Sequence, residues 1–150
     1  MEVFRIVPEA YSGSLEASGA PNRWNLRGEK VIYAGSTRSL STLELIVHRS
    51  SIQISKPYKL LVIKIEGLTN HLESIKLEDL PSNWRSIQSY GILQRLGSKW
   101  YQEQKSLILE VPSAVIPQET NFILNAEHPL FRSQINISNS EDFFWDNRLL

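Results

Sequence analysis

Glu44 lies in a stretch that reads as a helix. A hydroxyl cap at Ser36-Thr37 opens it, and Leu40, Leu43 and Val47 recur at helical spacing. Four residues after Leu40 and three before Val47, the glutamate shares or borders that apolar stripe. A charge facing a core is costly unless it has partners or a task. As an edge residue Glu44 would snorkel or pair. As a functional residue it would be a carboxylate held in a partly dry site. Tyr33 lies eleven residues earlier, at the end of a strand that feeds the helix. It is either a core ring with its hydroxyl at the rim or a stacking platform for a flat cationic ring. Arg23, in Asn22-Arg23-Trp24-Asn25, closes a small-residue loop over 12–25, where backbone can approach a ligand closely. Its planar fork suits a phosphate pair; the alternative is a surface arginine that stacks on Trp24 or caps a loop. Ser113 follows Val111-Pro112 without a Gly-x-Ser-x-Gly elbow, so it lacks the setting of a nucleophile. It reads as a turn former or as a donor to a ligand hydroxyl or amide.

Other chemistries find less support. His48, His71 and His128 stand at no recognisable metal-ligand spacing and read as structural, so no metal site is expected. There is no cysteine, hence no disulfide framework and no thiolate chemistry. Glycines at 13 and 19 do not make a dinucleotide fingerprint. Asp146 and Arg148 suit a local ion pair. Sixteen basic residues balance sixteen acidic ones, which gives the chain no large electrostatic reason to bind nucleic acid by itself. No apolar run reaches the ~20 residues of a membrane span. The opening Met-Glu-Val-Phe-Arg lacks the basic-then-apolar pattern of a signal peptide, so a cytoplasmic location is expected.

The elements that must position these residues follow from periodicity and punctuation. Strands are expected over 3–7, 31–34, 58–66, 107–111 and 121–124. Segment 67–83 reads as loop and short turns. A helix is expected from about Trp84 to near Gln104, in two pieces around Gly91, with Leu93, Leu96 and Trp100 as its apolar face. In the tail, 134–137 and 142–146 read as two edge or closing strands. Phe143, Phe144 and Trp145 would serve either an interface or the core. Strands outnumber helices and do not alternate regularly with them. A single domain over 1–150 of the α+β class, with a mixed sheet, is therefore expected.

Arg23 in Arg-Trp-Asn, Glu44 in Ser-Thr-Leu-Glu-Leu-Ile-Val-His and Ser113 in Val-Pro-Ser-Ala-Val-Ile-Pro together resemble the RES domain family. The resemblance continues through 118–129 and into Asp146-Asn147-Arg148-Leu149, so it spans nearly the whole chain. Asn22 stands where the family usually has glycine, and Ala126 where it usually has proline. The resemblance implies a fold like that of the ADP-ribosyltransferases. It also implies the toxin half of a bacterial type II toxin–antitoxin pair that depletes NAD. The implied partner is an Xre-like antitoxin whose helix-turn-helix carries the DNA contact, with a toxin homodimer within the complex. No cofactor is implied, because NAD is the substrate. Arg23 would grip the pyrophosphate, Tyr33 would stack near nicotinamide, Ser113 would hydrogen-bond in the ribose pocket, and Asn25 would join the NAD-binding set. Glu44 would be the catalytic carboxylate.

One carboxylate suffices for such a reaction. An ordinary glycosidase needs a second to protonate the leaving oxygen. In NAD the glycosidic nitrogen is already positive, so nicotinamide leaves neutral. The acceptor stays open among water, inorganic phosphate and a macromolecule. A non-catalytic module that holds a partner peptide in the same pocket is the rival from a different class.

Overall fold

In the computed structural model, which describes residues 1–48, 50, 52–67 and 71–149, seven strands form one sheet. They are β1 (Glu2–Pro8), β2 (Val31–Gly35), β3 (Tyr58–Ile65), β4 (Leu72–Ser74), β5 (Ile108–Pro112), β6 (Thr120–Asn125) and β7 (Ile135–Phe143). The spatial order is β4-β5-β6-β2-β1-β3-β7. Neighbours run antiparallel except β4 and β5, so the sheet is mixed. Three α-helices among the described residues accompany it: α1 (Arg38–Val47), α2 (Tyr90–Glu103) and the single-turn α3 (Phe131–Gln134). No helix among the described residues is long and apolar enough to cross a membrane.

Side chains alternate across a strand, and here the alternation divides the core in an uneven way. One face is continuous from β5 to β7, through Ile108, Leu124, Ile32, Val3, Ile63 and Ile135. The other face carries two separate clusters. Trp24, Trp84, Leu93, Trp100, Leu109, Val111 and Ile123 cover the β5–β6 half. Phe4, Leu60 and Val62 cover the β1–β3 half. Between the clusters, β1 and β2 share one register pair, Phe4 with Gly35, whereas β1 pairs with β3 through seven. The two strands part after that pair, and the parting opens the second face.

Two glycines let the covering segments come close. A Cβ on Gly35 would lie 2.5 Å from Ser41 Oγ, so α1 packs directly on the end of β2. A Cβ on Gly97 would lie 1.7 Å from the Trp24 carbonyl oxygen, so α2 rests against the backbone of the 22–25 loop. Gln94 Nε2 donates to the Asn22 carbonyl at 2.9 Å. The buried Glu29 accepts from the Leu26 amide and the Ser98 hydroxyl, each at 2.7 Å, which pins the far side of the same loop to α2.

Several expectations from the sequence are corrected. On α1 the buried residues are Leu40 and Ser41, while Leu43 and Val47 of the expected stripe are exposed. The Ser41 hydroxyl donates to the Phe4 carbonyl at 2.8 Å, a polar anchor invisible to apolar periodicity. On α2, Leu93, Gly97 and Trp100 are buried and Leu96 is exposed. Its break falls just ahead of Gly91, where a 3-10 turn over Ile87–Ser89 precedes the α-helix. β4 lies within the segment read as loop; three residues are too few to show a period. The tail forms one nine-residue strand, β7, in place of two. Its polar run Ser138–Asp142 suits an edge strand facing water, and a register shift opposite Val62 and Ile63 keeps it paired with β3. Phe143 packs on the smaller cluster, Trp145 meets Tyr58 and Phe143 edge-on, and Phe144 is exposed.

Gly97→Ala should force α2 away from Trp24 and destabilise the fold by about 1–3 kcal/mol, as overpacking does. Thermal unfolding checks this; an unchanged midpoint would mean that helix and loop are not in contact.

Candidate active site

The parting of β1 and β2 forms a cavity of about 860 Å³, within the range of small-molecule sites. Glu44 stands in its wall. Thr37 caps α1 by accepting the Leu40 amide at 3.0 Å, and the Ser41–Phe4 anchor sets the rotation of the helix about its axis. Glu44 follows Ser41 by three residues and so shares its face. Its Oε1 accepts two hydrogen bonds, from Ser113 Oγ at 2.7 Å and from Asn121 Nδ2 at 2.6 Å.

Ser113 is fully buried. Its oxygen accepts the amides of Val115 and Ile116 at 3.0 and 3.1 Å, so its proton is directed to Glu44. It therefore stands behind the carboxylate and not on the cavity wall. Asn25 is also buried behind the wall. Its Nδ2 donates to the carbonyls of Ala20 and Leu26, and its Oδ1 accepts the Tyr33 hydroxyl at 2.6 Å. The same hydroxyl accepts the Trp24 amide at 3.1 Å. The Tyr33 ring lines the cavity while its hydroxyl latches the loop. Burial pushes that hydroxyl well above its ordinary value of 10.0, so it keeps its proton.

Arg23 lines the cavity with its guanidinium fixed from behind. Nη1 donates to the carbonyls of Trp84 and Arg85 at 3.3 and 3.1 Å, and the group lies 4.8 Å from the centre of the Tyr90 ring. Nε and Nη2 make no protein hydrogen bond among the described residues.

The structure adds three residues that the sequence reading did not select as site residues: Asn121, Arg5 and Arg85. Arg5 sits where β1 leaves β2, and its Nη1 donates to the Tyr33 carbonyl at 2.7 Å. A guanidinium thus occupies the place of the absent strand ladder. Burial lowers its pKa, and among the described residues it has no carboxylate ion pair. A charge in the middle of Val-Phe-Arg-Ile-Val was the available signal. Arg85 reaches the Ala114 carbonyl at 2.7 Å and lines the same cavity. Three arginines and the two glutamates Glu16 and Glu44 thus share the wall. Such a site favours an anion that also carries a feature for one carboxylate.

His48, at the C-terminal end of α1, lines the cavity, whereas His71 and His128 stand elsewhere. His128 is buried with Nε2 at 3.0 Å from the Gln104 carbonyl, and its ring lies 6.3 Å from that of His71. Among the described residues no group of three or more His, Asp or Glu is placed to hold a metal ion. Asp146 and Arg148 form the local ion pair, at 2.6 Å on the surface.

Tyr33→Phe should orphan Asn25 Oδ1 and the Trp24 amide and cost about 1–3 kcal/mol in denaturant unfolding. The Tyr33 contribution also sets a pH dependence. The folded chain holds the proton more tightly than the unfolded one, so stability is whole below 10.0 and falls as pH rises past it. The variant should lack that alkaline component.

Comparison with known proteins supplies the lineage. A family model described as the RES domain matches residues 2–146. A protein named Toxin Res from Yersinia enterocolitica is 32% identical over 153 residues, covering 99% of both chains. Another Toxin Res, from Pseudomonas putida, is 31% identical over 139 residues, covering 92% of this chain and 90% of that one. The Prs ADP-ribosylating toxin of a Sphingobium species is 34% identical over 110 residues, covering 71% of this chain and 67% of its own. With a family model matched over residues 2–146 and a relative 32% identical over 99% of both chains, this chain belongs to the RES domain family.

Proposed function

We propose that the protein is a toxin that cleaves the bond between nicotinamide and ribose in NAD, with Glu44 as its catalytic carboxylate. The observation that carries this reading is the combination in one wall: a carboxylate held by two neutral donors, beside three arginines that form no ion pair among the described residues. The pyrophosphate of NAD matches the free N–H groups of Arg23 and the buried charge of Arg5. The Tyr33 ring provides a face for nicotinamide. Asn25 and Ser113 act from behind, the first by holding the loop and the second by holding Glu44.

The chemistry needs no acid. The C–N bond breaks, its electron pair goes to the pyridinium nitrogen, and neutral nicotinamide leaves. Positive charge develops on the ribose, and Glu44 stabilises it. An acceptor then attacks the anomeric carbon, and its proton passes to solvent. NAD is the substrate, so no cofactor is required. Water or inorganic phosphate as acceptor gives a glycohydrolase or a phosphorylase. A macromolecular acceptor gives an ADP-ribosyltransferase, the second reading, favoured by the name of the Sphingobium relative. The protein would act in the cytoplasm, held in check by an Xre-like antitoxin that contacts DNA on its behalf, with a toxin homodimer within the complex. An acidic chain end of that partner fits the arginine wall and would exclude NAD.

Purified protein incubated with NAD should release nicotinamide. Product masses with and without phosphate, and with lysate protein, identify the acceptor. Glu44→Ala should lower turnover about 100-fold or more while keeping the circular dichroism of the wild type; full activity would remove Glu44 from the chemistry. Arg23→Ala and Arg5→Ala should each raise the Michaelis constant about 10-fold, the loss of a charge-assisted hydrogen bond. Unchanged constants would end the phosphate assignment.

A further inference from the structure

The two donors on Glu44 come from different parts of the chain. Ser113 lies just past the end of β5, fixed by the turn that follows it. Asn121 is the second residue of β6, with its Cα opposite Gly35 of β2 and Val111 of β5. Its backbone is thus paired on both sides, so its amide reaches Glu44 from a fixed strand. Both donors bind Oε1. Oε2 has no protein partner among the described residues, although Glu44 is half-buried.

We propose that Asn121 is a positioning residue for Glu44: with Ser113 it holds Oε1 and thereby commits Oε2 to the ribose of NAD. The inference rests on the NAD-cleaving reading above. A glutamate terminus turns freely about its last torsion, which has two broad, nearly equal minima. Two donors on one oxygen fix that torsion and distinguish the oxygens. An amide suits the task because it donates without adding charge. A cation at the same place would neutralise the carboxylate that must meet a positive ribose, and a carboxylate would repel it. Asn121 also lines the cavity, so contact with the ligand is the competing role.

The test uses the full chain and measures nicotinamide release and NAD dissociation constants. Variants are Asn121→Ala and the near-isosteric Asn121→Asp, each in wild-type and Glu44→Gln backgrounds. Asn121→Ala should lower kcat about 10- to 100-fold while NAD affinity stays within about 3-fold. Asn121→Asp should fall further despite keeping the shape, because two carboxylates then face each other. In the Glu44→Gln background, Asn121→Ala should cause no additional loss, since it acts through a group already removed. Circular dichroism verifies folding; if the alanine variant does not fold, the aspartate variant decides. An unchanged kcat overturns the proposal, and so does an equal additional loss in both backgrounds. An effect on NAD affinity alone makes Asn121 a ligand contact and overturns it as well. Wild-type protein that releases no nicotinamide overturns the NAD reading itself, together with this role. That outcome is separate, because it appears before any variant is made.

Discussion

The site depends on the place where β1 and β2 stop pairing. Adjacent strands normally satisfy each other's backbone groups along their length, and an unpaired buried carbonyl is expensive. Here pairing ends at Phe4 and Gly35, and side chains take over. The Arg5 guanidinium accepts the duty at the Tyr33 carbonyl, and the Ser41 hydroxyl does so at the Phe4 carbonyl. The first brings a positive charge into the opening. The second fixes the helix that brings a negative one. The gap, the cation and the carboxylate therefore share one origin: the two strands diverge, and the backbone they expose is satisfied by groups that also line a cavity.

Around that gap the segments are held from outside. α2 carries little of the cavity wall, yet it holds the 22–29 loop through Gly97, Gln94 and Ser98. Tyr33 and Asn25 hold the same loop from the sheet side. The loop that bears Arg23 is thus clasped between the helix and the sheet, although its sequence of small residues reads as slack chain.

Much of this was legible, in proportion to how local the cause was. The Thr37 cap and the helix over Glu44 follow from adjacent residues. The strands rich in Val, Ile and Leu follow from composition. The family blocks around Arg23, Glu44 and Ser113 pointed to a lineage that the comparisons support. What stayed hidden is non-local. The buried face of α1 is set by Ser41 reaching a carbonyl 37 positions away, so an apolar count selected Leu43 and Val47, which face water. Asn121 meets Glu44 across 77 positions, and no spacing rule joins them. β7 escaped as one strand because an edge facing solvent carries serine, asparagine and acids. Arg5 was visible as a charge inside a strand, but its meaning required knowing that the neighbouring ladder is missing.

The tethering of Arg23 has a consequence for affinity. Immobilising a long, rotamer-rich side chain costs about 0.5–1.5 kcal/mol when a ligand must do it. Two carbonyls and the Tyr90 ring already perform that ordering in the free protein. The entropic loss belongs to folding, so an anion bound at Arg23 as proposed would meet a cation whose place is set beforehand. For the proposed ligand, the stability of the 84–90 segment would thereby be part of the binding free energy, though most of that segment need never touch it.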